Sequence, residues 1–148
     1  MKKNTNSYSV MNNEFVSIEM AQKLKEKGFS CKHPFAMYDE GGKFHPLYTS
    51  ADYYKAPSGF EYRCYYDFDD FNDEDTLCPT IEQVLRWLRN EKNIYCLPIF
   101  EQGIDMWLFC IERPLTCCDF AEYISESIYD TYEQAAIAGI DYVIGNLI

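Results

Sequence analysis

The apolar positions of this chain change period several times, and each change marks an element. Ile18, Ala21 and Leu24 recur at helical spacing with charges between them. Ser17 is a good N-cap, and Gly28 suits the left-handed residue that closes a helix, so the spacing predicts a helix from Ser17 to about Lys27. Phe35-Ala36-Met37-Tyr38 and Phe44 to Tyr48 then flank Gly41-Gly42. A Gly-Gly pair supplies the positive φ angles of a two-residue turn, which predicts a hairpin. Pro46 has no N–H to donate and places the second arm at a sheet edge. Residues 49–59, with Tyr53, Tyr54, Pro57 and Gly59, read as a loop. Phe60, Tyr62, Cys64 and Tyr66 alternate with Glu61, Arg63 and Tyr65, the period of a half-buried strand.

The second half repeats this grammar. Thr80-Ile81-Glu82-Gln83 has the spacing of a capping box, and Ile81, Val84, Leu85 and Leu88 form one stripe beside Trp87, ending near Glu91. Tyr95 to Phe100 and Met106 to Ile111 are apolar runs around Glu101-Gln102-Gly103-Ile104-Asp105, a hairpin with a longer turn. The run from Met106 has no polar alternation and suits a strand buried on both faces. One short strand is expected near Tyr123 or Ile128. A second capping box, Thr131-Tyr132-Glu133-Gln134, opens a last helix to about Asn146, with Ala and Gly along one side for close approach to a sheet. The expected core is Val84, Trp87, Leu88, Trp107, Phe109, Ile140 and Ile144. Strands joined by short turns and interleaved with helices indicate an α+β fold: a single domain in which an antiparallel sheet of about four to six strands packs against three helices. Residues 1–13, polar and rich in Asn and Ser, read as a flexible segment before a domain over 14–148.

Composition narrows the class. A chain of 148 residues is the length of one domain. With 47% hydrophobic and 25% charged residues it is neither disordered nor a coiled coil. The formal charge is −11, with a net −6 over residues 61–75 and −8 over 101–148. That field repels a polyanion, so nucleic acid is excluded as a partner. No apolar run reaches the ~18 residues of a membrane span, and Met1-Lys2-Lys3-Asn4 leads into no signal-peptide core, so no membrane partner and a cytoplasmic location are expected. Cys31, Cys64, Cys78, Cys96, Cys110, Cys117 and Cys118 are odd in number and irregular in spacing; in a reducing compartment they read as buried hydrophobes.

Candidate chemistry is sparse. His33 and His45 lie before and inside the first hairpin, with Asp39 and Glu40 nearby, but no CxxC, HxxxH or HExxH spacing accompanies them. No cofactor or metal is therefore expected. Residues 67–75 have the density of a calcium loop, yet counting from Asp67 places Asn72 where Gly is needed and Cys78 where Glu is needed. Asp67, Asp69, Asp70, Asp73, Glu74 and Asp75 instead offer a negatively charged surface for a basic protein, with Phe68 and Phe71 anchoring the loop.

The segment Pro79-Thr80-Ile81-Glu82-Gln83-Val84-Leu85-Arg86-Trp87-Leu88-Arg89, the strand Ile94-Tyr95-Cys96-Leu97-Pro98, and Tyr132-Glu133-Gln134-Ala135 with Ile140 to Leu147 resemble a group of uncharacterised small proteins from gut Bacteroides genomes and their prophages. The resemblance implies an accessory protein of a phage or mobile element and carries over no catalytic residue. The expected function is binding of another protein, with a homo-oligomer allowed. Two other classes stand beside it: an enzyme whose site gathers dispersed residues such as His33 and His45, and an acidic DNA-mimicking inhibitor.

Overall fold

The computed structural model describes residues 14–30, 36–48, 63–64, 76–114 and 121–148. The fold class is α+β. Among the described residues the order is α1 (Ile18–Glu26), β1 (Ala36–Tyr38), β2 (Phe44–Tyr48), β3 (Arg63–Cys64), β4 (Thr76–Cys78), α2 (Ile81–Glu91), β5 (Tyr95–Glu101), β6 (Met106–Glu112), β7 (Ala121–Ile124) and α3 (Tyr132–Asn146). The strands divide between two sheets, ordered β3-β2-β1-β4 and β5-β6-β7, where the sequence pattern suggested one. Contacts likewise gather into two compact units, Val16–Thr80 and Ile81–Ile148 together with the start of the chain through Phe15. No helix among the described residues is long and apolar enough to cross a membrane.

In the Val16–Thr80 unit, α1 begins and ends as its sequence predicts. The Ser17 hydroxyl accepts the Met20 amide at 3.2 Å. At the other end Gly28 is left-handed (φ 87), its N–H reaches the Lys25 carbonyl, and the Phe29 N–H reaches the Leu24 carbonyl. These are the two bonds of a Schellman closure, which satisfies carbonyls the helix leaves open. Met20, Ala21 and Leu24 form the buried stripe.

The first hairpin forms, with a different turn. Tyr38 pairs with Phe44, and the Asp39 N–H still reaches the Lys43 carbonyl, so three residues rather than two make the bend. Gly42 alone of the glycine pair is left-handed (φ 76), and its N–H closes the turn onto the Asp39 carbonyl at 2.8 Å. A bulged three-residue connection needs positive φ only at its last position. The edge expected from Pro46 is also corrected: β2 lies inside the sheet, paired with β1 on one side and, in parallel, with β3 on the other. Among the described residues the parallel ladder with β3 runs over Leu47 and Tyr48, next to Pro46. Of the strand expected over Phe60 to Tyr66, Arg63–Cys64 is described as β3 and the remainder lies outside the described residues.

In the other unit, α2 buries Ile81, Val84, Leu85 and Leu88, the stripe read from sequence, while Trp87 is half-buried. β5 and β6 pair from Tyr95↔Glu112 to Glu101↔Met106. Their tip is left-handed at Asp105 (φ 56), not at Gly103. β7 contains Tyr123, and a bridge between Trp107 and Tyr129 extends the pairing past it. α3 is capped by Thr131, whose hydroxyl accepts the Gln134 amide at 3.2 Å; the Gln134 side chain reaches back to the Asp130 N–H, one residue before the cap. The capping box is thus displaced by one donor from its expected form.

Candidate functional site

The six carboxylates Asp67, Asp69, Asp70, Asp73, Glu74 and Asp75 lie outside the described residues, as do His33, Phe68, Phe71 and residues 1–13. His45 is described, and it is buried. β2 carries it in register with Met37 of β1, and its Nε2 lies 2.8 Å from Asp39 Oδ2. Asp39 Oδ1 accepts the Lys43 amide at 2.8 Å. The His45 contact, then the Lys43 amide, hold the Asp39 carboxyl below its usual range. Both oxygens of Asp39 therefore serve the hairpin: one fixes the loop backbone, the other the imidazole.

Three cysteines are described as buried free thiols: Cys78, Cys96 and Cys110. Burial pushes the Cys96 thiol up to about 12, with the nearby Cys110 adding to it. Burial and the neighbouring Glu112 also raise Cys110. Raised thiols hold little thiolate at neutral pH and are poor nucleophiles. Among the described residues no three His, Cys, Asp or Glu side chains form a group that could hold a metal ion.

The most distinctive surface is the sheet β5-β6-β7, whose two faces have different fates. Alternation places Cys96, Pro98 and Phe100 of β5 with Trp107, Phe109 and Ile111 of β6 and Tyr123 of β7 on one face. α3 covers this face around Cys96, Phe109 and Ile111, whereas Phe100 at its far end is 42% exposed. A Cβ at Gly139 would overlap the Cys96 Sγ and stand 3.2 Å from the Phe109 ring, so only glycine permits the approach. Tyr142 of α3 stacks on Tyr123 with centroids 4.1 Å apart, and Tyr132 meets Trp107 edge-on at 5.4 Å. The Tyr132 hydroxyl donates to Glu82 Oε1 at 2.7 Å, tying α3 to α2. Burial first, then that contact, push the Tyr132 phenol above its ordinary range.

The opposite face carries Tyr95, Leu97, Ile99 and Glu101 of β5, Met106, Leu108, Cys110 and Glu112 of β6, and Ile124 of β7. An antiparallel sheet with one solvated face normally turns polar side chains outward. Here the outward row Leu97–Cys110–Ile124 and the row Ile99–Leu108 are apolar. Leu97 is 36% exposed, Ile99 39% and Ile124 55%. Cys110 is buried within this face, and its thiol lies 3.9 Å from Glu112 Oε1.

β6, expected to be buried on both sides, has no exposed residue on either. Its buried residues are Phe109, Cys110 and Ile111, while Met106, Trp107 and Leu108 are half-buried. The run places Phe109 and Ile111 on the inner face and the buried Cys110 on the outer one, while the exposed apolar residues of the outer face sit on the flanking strands β5 and β7. Sequence reasoning read the run in β6 and missed the exposed apolar residues on the strands beside it. The available signal was that Leu97 and Ile99 alternate with Cys96, Pro98 and Phe100 in β5, so apolar residues occupy both faces of that strand as well. Compared with protein-family models, with curated proteins and with solved structures, the chain finds no match in any of the three.

Proposed function

We propose that this chain is a binding protein that docks another protein on the open face of β5-β6-β7, and that it serves as an accessory of a phage or mobile element. The observation that supports docking is the apolar outward face centred on Leu97, Ile99 and Ile124. Several exposed aliphatic side chains gathered on one sheet face mark interaction sites more often than isolated surface Leu or Ile does. The Asp39–His45 contact supports a second reading, an enzyme, since a carboxylate-oriented imidazole is the usual general base. Asp39 is nonetheless engaged with the Lys43 amide, which gives the pair a role in holding the loop.

Affinity capture from the native host with three forms of the chain separates the readings. Wild type and His45→Ala should retain the same protein, and Leu97→Asp should lose it. Retention by all three forms would remove the open face from consideration. Loss confined to His45→Ala would move attention to the hairpin.

A further inference from the structure

Resting on that reading, we infer that the open face of β5-β6-β7 takes an amphipathic segment of a partner protein whose apolar stripe is flanked by Lys or Arg. The apolar rows do not run to the ends of the sheet. Glu101, opposite Met106, closes one end, and Glu112, opposite Tyr95, closes the other. Six residues of β6 separate these ends, about 20 Å of extended chain. About 13 residues of helix cover that length, so a helix laid along the sheet would bring its two ends to the two carboxylates. Asp105 and Glu126 are exposed nearby in sequence, and residues 101–148 hold a single cation, Arg113. The patch is therefore apolar in its middle and acidic at its rim, the complement of a basic amphipathic segment.

Charge also argues against the other occupants. A two-fold packing of this face on a second copy would set each carboxylate-bearing end against another such end, so like charges would meet whichever way the strands ran. An anionic bilayer would meet the same repulsion.

The test uses the full chain and a synthetic Leu/Lys helical peptide, apolar along one face, in fluorescence anisotropy. Beside it run a Leu/Glu peptide of the same pattern and a scrambled Leu/Lys peptide of the same charge. The patterned Leu/Lys peptide should bind, and its affinity should fall with salt as screening shortens from ~10 Å at 0.1 M toward ~3 Å at 1 M. Leu97→Asp with Ile124→Asp should weaken it by at least roughly thirtyfold, although both changes add negative charge and would strengthen long-range attraction. Glu101→Gln with Glu112→Gln should weaken it by roughly three- to tenfold and flatten the salt dependence. Equal binding of the scrambled peptide overturns the inference, because net charge alone would then carry it. So does preferential binding of the Leu/Glu peptide, or adsorption to phosphatidylcholine vesicles that Ile124→Asp abolishes. A dimer in sedimentation that Ile124→Asp dissolves overturns it in favour of a second copy. If no peptide binds while Leu97→Asp still loses the captured protein, the partner chemistry is wrong and the docking face stands. If Leu97→Asp keeps the captured protein, the docking face itself fails.

Discussion

The two faces of the sheet β5-β6-β7 are built from the same strands and from similarly apolar residues, yet one is a core and the other is a surface. Phe109 and Ile111 at the centre of the inner face are almost fully buried and only Phe100 at its end is exposed, while Leu97 and Ile99 on the outer face are more than a third exposed beside a buried Cys110. What separates them is one helix. α3 lies close over the inner face because Gly139 presents no side chain to Cys96 and Phe109, and because Tyr132 and Tyr142 fill the space to either side. Among the described residues no equivalent helix covers Leu97, Ile99 and Ile124. Apolar composition alone therefore does not decide burial; the availability of a complementary element does.

The contrast is sharpest where contacts are densest. Phe109 touches three tyrosine rings, those of Tyr123, Tyr129 and Tyr142. Phe109→Ala should lower stability by about 3–5 kcal/mol, read as a shift in the urea midpoint. A loss below about 1 kcal/mol would mean that the inner face is not a packed core.

Gly139 tests the cause of the contrast. Gly139→Val should cost roughly 1–3 kcal/mol or more, since its side chain must displace Cys96 or the Phe109 ring. Gly145 is the control in the same helix, because a Cβ there meets nothing within 4 Å. Gly145→Ala should be neutral or stabilise by roughly 0.5–1 kcal/mol, through helix propensity. If both substitutions behave alike, close approach is not what makes the inner face.

A pH series offers a third, smaller measure. The Cys96 thiol is raised from an ordinary value near 9 to about 12 in the folded chain. Between those values the unfolded chain has lost this proton and the folded chain keeps it. Its contribution is therefore complete below about pH 9 and is lost as pH rises toward 12. Urea midpoints at about pH 8 and about pH 10 should fall more for wild type than for Cys96→Ala. Equal falls would place Cys96 in contact with water.

The smallest effect belongs to the outer face. Leu97→Ser and Ile99→Ser should each cost no more than about 1 kcal/mol, because more than a third of each residue already meets solvent. A loss of about 2 kcal/mol or more at either would show that the face is covered in the folded chain, and the comparison between faces would collapse.

Much of this molecule was legible in its sequence because the deciding signals are local. Ser17 and Gly28 bound α1 through hydrogen bonds made within a few residues, and the stripe Ile81, Val84, Leu85 and Leu88 reports one side of α2 whatever it packs on. The hairpin turns were read less well. Gly41-Gly42 drew attention to a two-glycine turn, whereas Gly42 alone is left-handed there, and in the second hairpin Asp105 takes that conformation. Turn type depends on where strand pairing stops, and pairing is a matter between segments. The candidate site was the least legible. The histidines and acidic runs stood out by residue type, while the open face depends on parity across three strands and on which side α3 chose. The sequence by itself determined the helices, most strands and the acidic balance, since caps, periodicity and charge act along the chain. Only the tertiary structure decided that the strands form two sheets and that Leu97, Ile99 and Ile124 stay exposed. That choice is made when distant segments compete to bury the same surface, and no local pattern records the outcome.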